Sequence, residues 1–213
     1  MEPAVVRVRG EAQLEVPPEL ARFAVSVSAR GKDRQGVLTR LAERSAAVRA
    51  LVDEYPDAVD RRETGAFHLS PELKRTGERI AAYTGSVTTT VTVTDFTVLG
   101  ELMVRLADLE QSAVDGPWWE LRPGNPAAAE ARRAALADAL TRAREYAAAV
   151  GARVDRLVEI SDEGGGGFDR PMFRAMAGAA ESAGLPSFDL DPQVQAVHAA
   201  VQLRLTITEP ELG

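Results

Sequence analysis

The strictest pattern in the chain runs from Ile80 to Thr94. Tyr83, Gly85, Val87, Thr89, Val91 and Val93 fall on one face, and Ser86, Thr88, Thr90, Thr92 and Thr94 on the other. A period of two held this long predicts a strand with a valine face toward a core and a threonine face toward water or a partner. The stretch before it, "SPELKRTGERI", carries Pro71, Gly77 and several charges, the marks of an exposed connection.

The rest of the chain is organised around such strands. Val6 and Val8 alternate with Arg7 and Arg9, and Gly10 predicts a bulge or bend. The prolines of "VPPEL" mark a connection, after which Phe23, Val25 and Val27 share a face of a second strand. Asp33 caps a predicted helix to about Glu54, with Val37, Leu38, Leu41, Ser45, Val48, Leu51 and Val52 inward. Tyr55-Pro56 ends it, and a more polar third strand follows over 58–69. A second helix starts at Asp95 or Thr97 and turns Val98, Leu99, Leu102, Met103, Leu106 and Leu109 inward. "GPWWEL" belongs to a short strand bulged by Gly116-Pro117. Asn125-Pro126 starts a long Ala-rich helix that Gly151 stops. A strand over 153–161, an irregular insertion over 162–192 and a last strand over 193–208 complete the chain.

The order is therefore β-β-α-β-β-α-β-α-β-β. Strands outnumber helices and neighbours can pair as hairpins, which predicts an α+β fold of mainly antiparallel sheets with helices packed on their faces. A single domain over 1–210 is expected, with two lobes, ββαββ over 1–94 and a helix plus βαββ over 95–210. No sequence repeat links the lobes.

Composition limits the chemistry. Cysteine is absent, which excludes disulfides, thiolate catalysis and Cys-ligated metals. Net charge is −7, which argues against a general nucleic-acid binder. No apolar stretch approaches the ~20 residues of a membrane span. The N-terminus reads as a strand and not a signal peptide, so the expected location is cytoplasmic, or periplasmic or secreted if a leader has been removed.

The two histidines, His68 and His198, lack ligand spacing, and a hydrogen-bonding role is the plainer reading. There is no GxSxG elbow and no recognisable triad order. "EGGGGFDRP" lacks the lysine of a phosphate loop and is flanked by acids, so it reads as a flexible tip. Paired acids at Asp162-Glu163 and at Asp189 with Asp191 show no cleft by themselves. No catalytic residue, metal ligand or cofactor site is therefore assigned. The residues that remain of interest are possible interface or pocket positions. Thr88, Thr90 and Thr92 form a hydroxyl ladder, and Trp118 and Trp119 must point to opposite faces of their strand. Phe168, Met172 and Phe173, with Met176, Leu185 and Phe188, give the 162–192 insertion apolar contacts for a partner or subunit.

In order and spacing, several of these segments resemble the SIMPL family, a domain of unknown function found mostly in bacteria. The segments are "VRVRGEAQLEVPPELARFAVSVSA", "HLSPEL", "AAYTGSVTTTVTVTDF", the Ala-rich "AAAEARRAALADALTRAREYAAAVGARVDRLVEIS" and "VQAVHAAVQLRLTI". Together they cover nearly the whole chain. The resemblance implies an α+β fold and homo-oligomers, some of them large rings. It implies periplasmic or secreted relatives linked to oxidative-stress tolerance, and animal relatives that act as signalling adaptors near a kinase. It supplies no catalytic residues. The chain departs from the family in lacking the usual leader and in reading Pro17-Pro18-Glu19 where Pro-Asp is usual. The expected function is self-assembly and protein binding without catalysis. The alternatives are a small-molecule binder or enzyme with a pocket near His68, Tyr83 and Trp118 or Trp119, and an adaptor docked through the 162–192 insertion.

Overall fold

The structure, a computed structural model, describes residues 3–74, 77, 79–163, 188 and 190–211. Its elements are β1 (Val5–Val16), β2 (Leu20–Gly31), α1 (Arg34–Val52), β3 (Val59–Leu73), β4 (Ile80–Val93), α2 (Leu99–Ala107), β5 (Ser112–Glu120), α3 (Ala127–Ala149), β6 (Val154–Asp162) and β7 (Gln195–Ile207). The predicted order holds, and both sheets are antiparallel, so the fold is α+β. Asp33 caps α1 through Gly36 N–H, and a turn of 3₁₀ helix at Phe96–Val98, capped by Asp95, leads into α2.

The chain forms two compact units, and they interleave along the sequence instead of dividing near Thr94. The reason is the pairing of β1 with β7, which runs from Val5 opposite Thr206 to Val16 opposite Gln195. The first strand is thereby committed to the last. One unit contains β1, α3, β6 and β7, with strand order β1-β7-β6. The other contains β2 to β5 with α1 and α2, in the order β3-β4-β2-β5, and includes Phe188 and Leu190.

In the three-stranded unit, β1 is apolar and polar in turn, so Val6, Val8, Gly10, Ala12 and Leu14 face the helix side opposite Leu205, Leu203, Val201, Ala199 and Val197. Helix α3 packs there with alanines at every fourth position, Ala127, Ala131, Ala135, Ala139, Ala143 and Ala147, all buried. A stripe without side-chain bulk lets the helix backbone settle close to the sheet. At Gly10 the approach is so close that a Cβ would collide with the Ala135 carbonyl and the Ala139 amide.

The four-stranded unit has a different core. Phe23, Val25 and Val27 of β2 and Val91 and Val93 of β4 meet Val48 and Val52 of α1 and Leu99, Leu102 and Leu106 of α2. Burying each such side chain contributes about 1.5–3 kcal/mol. A smaller cluster, Ala29, Val37 and Leu41 with Leu69, Tyr83 and Val87, continues it. Gly85 lies under this cluster, where a Cβ would come 2.8 Å from Leu41 Cδ1 and 2.9 Å from the His68 carbonyl.

The stretch before β4 requires a correction. Ser70, Pro71, Glu72 and Leu73 belong to β3, opposite Thr84, Tyr83, Ala82 and Ile80, and the connection shrinks to 74–79. Strand β3 is an edge, so a proline without an N–H is tolerated there.

Candidate functional site

The strand registers decide which of the singled-out residues meet. On β4, Thr88, Thr90 and Thr92 share the sheet face turned away from α1 and α2. Ser26 of β2 lies opposite Thr88, with the two hydroxyl oxygens 2.9 Å apart. His68, opposite Ser86, is on this face and exposed, with Nε2 3.1 Å from Ser70 Oγ. Trp118, opposite Arg22, is on it as well and is 37% exposed. Thr88 and Thr90 are half-buried, whereas Thr92, between Arg22 and Arg61 in register, is only 3% exposed. Arg22 is held by Glu120 at 2.7 Å.

Tyr83 and Trp119 are on the opposite, helix-covered face. Tyr83 packs in the cluster around Leu41, and Trp119 is buried in the main core, edge-on to Phe96 with ring centroids 4.9 Å apart. The sheet therefore separates His68 from Tyr83 and Trp118 from Trp119. His68 and Trp118 share a face, but their registers meet β4 at Ser86 and β2 at Arg22, the latter opposite Thr92. Six residues at ~3.3 Å each put roughly 20 Å between those levels. These residues do not line one pocket. Phe168, Met172 and Phe173 lie outside the described residues.

The open face is polar and largely self-satisfied. Arg30 forms a fork with Glu72, through Nε and Nη2 at 2.9 and 2.6 Å from Oε2. Hydrogen bonding from Arg30 holds the Glu72 carboxyl below the usual carboxylate range. Near the C-terminal end of α1, the Tyr55 hydroxyl donates to Glu101 at 2.7 Å and accepts from Arg105 at 2.7 Å. Burial is the main cause of its raised pKa. This network ties the end of α1 to α2. Among the described residues, no group of three or more His, Asp or Glu side chains is placed to hold a metal ion.

Two cavities were not legible in the sequence. One, of about 250 Å³, lies between α2 and β5 and is lined by Met103, Val104, Val114, Pro117, Phe188 and Leu190. Leu190 packs against the main core, so the end of the 162–192 insertion is held by α2 and β5. The other, of about 270 Å³, is on the open face of the β1-β7-β6 sheet and is lined by Arg7, Glu159, Ser161, Gln202, Leu203 and Arg204. Alternation marked most of these as outward-facing. Only the registers show that Arg7 stands opposite Arg204, and Arg204 opposite Glu159.

Comparison with known proteins gives the chain a setting. The model of SIMPL, a family of proteins of unknown function (DUF541), matches residues 6–205. A 26 kDa periplasmic immunogenic protein from Brucella melitensis is 26% identical over 200 residues, covering 87% of this chain and 78% of the relative. The protein of the same description from Brucella abortus matches equally. These relatives are described as periplasmic, and a cytoplasmic location finds no support in them. No helix among the described residues is long and apolar enough to cross a membrane. Among solved structures, an uncharacterised protein from Thermotoga maritima is 14% identical with a TM-score of 0.26, covering 46% of this chain and 95% of its own. An amidase of the hydantoinase/carbamoylase family from Burkholderia multivorans is 12% identical with a TM-score of 0.31, covering 59% of this chain and 32% of its own. Likeness at that level carries no functional argument.

Proposed function

The chain belongs to the SIMPL family, and from that premise we propose that it is a non-catalytic protein of the bacterial periplasm that acts by self-association and protein binding. The periplasmic part rests on the description of its relatives. The self-association part rests chiefly on β6. Helix α3 lies over β1 and β7 and scarcely reaches β6, an edge strand. Leu157, Val158 and Ile160 are consequently 45%, 47% and 55% exposed, three large apolar side chains on one short strand. A bare apolar edge with unpaired backbone groups favours addition of another strand. In the other sheet the outer strand β3 exposes Phe67 too, but Pro71 removes a backbone donor from it as a pairing template.

The test is oligomeric state by light scattering across a concentration series, for the full chain and for Ile160→Lys. The expected result is a concentration-dependent assembly that the charge at position 160 shifts toward the monomer by at least tenfold in midpoint. That factor corresponds to about 1.4 kcal/mol. A strict monomer at high concentration overturns the proposal.

A further inference from the structure

The cavity on the open face of the β1-β7-β6 sheet brings together features that a solvated strand face does not require. Arg7 and Arg204 stand directly opposite each other on β1 and β7. Like charges in that position repel, and sheets ordinarily avoid them. The neighbouring arginine on the same face, Arg9, is neutralised by Glu11 at 2.9 Å and Glu163 at 3.0 Å. Arg7 and Arg204 form no ion pair among the described residues, although Glu159 lies opposite Arg204 and lines the same cavity. Moreover, Arg204 Nε is sheltered from solvent and has no hydrogen-bond acceptor. A charged donor buried without an acceptor is costly, and a guanidinium is well suited to a forked contact with an oxyanion. The Ser161 hydroxyl and the Gln202 amide add neutral donors to the lining.

We propose that Arg7 and Arg204, flanked by Ser161 and Gln202 on the β1-β7-β6 sheet, form a binding site for a small oxyanion, a phosphate or a carboxylate. The two guanidiniums supply the charge, Arg204 Nε the sheltered donor, and Ser161 and Gln202 the remaining hydrogen bonds. Glu159 opposes the ligand and competes for Arg204, so the site carries a net charge near +1 and holds its anion reversibly. The inference concerns this face alone and is independent of assembly through β6.

The experiment is a nuclear magnetic resonance titration of the full chain with inorganic phosphate and, separately, with glutarate, at constant ionic strength. The Arg204 Nε–H signal is the reporter, and the tighter of the two ligands identifies the preferred oxyanion. The expected result is a saturable shift. Arg7→Gln and Arg204→Gln each weaken binding about tenfold or more, the scale of one charge-assisted contact. Glu159→Gln tightens it roughly fivefold by removing a competing carboxylate. If Arg204→Gln does not fold, Arg204→Lys retains the charge, removes Nε, and is expected to weaken binding as well. Shifts that stay linear with both ligands, binding unchanged in the arginine variants, or variants that alter only oligomeric state would each overturn the site. Loss of affinity in Glu159→Gln would also count against it, because it would make Glu159 a supporting group and not a competitor.

Discussion

Replacing Gly10 with alanine tests how the three-stranded unit is held together. A Cβ at this position would sit 2.7 Å from Ala139 Cβ and collide with the backbone of Ala135 and Ala139. Ordinary carbon contacts begin near ~3.5 Å, so α3 must lift by several tenths of an ångström at least. The obstacles are helix backbone, which has no rotamer to change. Overpacking of this kind costs ~1–3 kcal/mol. Removing a glycine from a strand returns ~0.5–1 kcal/mol. With backbone obstacles the upper part of the first range applies, leaving a net loss of about 2 kcal/mol. For a chain of this length each kcal/mol moves the melting temperature by ~2–4 °C, so Gly10→Ala should melt roughly 4–8 °C lower by circular dichroism. Gly65→Ala is the matched control. It too lies in a strand, but its nearest obstacle is Thr90 Oγ1 at 3.6 Å, an ordinary contact. With the glycine gain and no collision to offset it, Gly65→Ala should melt roughly 1–4 °C above the parent chain. If the two variants melt alike, the close seating of α3 on β1 is not what stabilises this unit.

Two further outcomes follow from the geometry. Trp119→Ala removes a buried ring packed on Phe96 and should cost ~3–5 kcal/mol in denaturant titrations, whereas Trp118→Ala, on the open face and 37% exposed, should cost less, roughly 1–2 kcal/mol. Asp138 is held below the usual carboxylate range, first by the Glu11 backbone N–H at 3.1 Å and then by Arg142 at 3.0 Å. Because its folded pKa is depressed, its contribution is complete above the ordinary carboxylate pKa and is lost as pH falls through the folded value. Melting temperature followed from neutral pH into the acid range should therefore fall less steeply in Asp138→Asn than in the parent chain. Parallel slopes would refute that assignment.

Local patterns were legible and long-range ones were not. The alternation of β4 and the stripe Val37, Leu41, Val48 and Val52 of α1 depend on neighbours in sequence, so period alone reveals them. The end of β3 misleads because Pro71 and its charged neighbours have loop composition, and an edge strand can carry both without losing its ladder. The partnership of β1 with β7 cannot be read locally, because several alternating strands are equally good partners until a sheet is assembled. The same holds for the candidate sites. Trp118 and Trp119 had to face apart on any strand, but the separation of His68 from Tyr83, and the meeting of Arg7 with Arg204, are consequences of register.

The two units share a topology that their sequences conceal. β1, α3, β6 and β7 form a β-α-β-β run with sheet order β1-β7-β6, and β2, α1, β3 and β4 form the same run with order β2-β4-β3. In each, the helix precedes the outer strand in the chain and rests on the first and middle strands. The outer strand is thus left without a helical cover in both cases, and Phe67 on β3 and Leu157 and Ile160 on β6 are exposed for the same reason. What differs is the helix–sheet contact. Valine and leucine fill it under α1, while alanine on α3 meets Gly10 on β1. Large side chains and a small-residue stripe solve the same packing problem at different separations, so residue-by-residue comparison finds no repeat. The added α2 and β5 then extend the second unit to four strands on the β2 side, and leave β3 uncovered like β6.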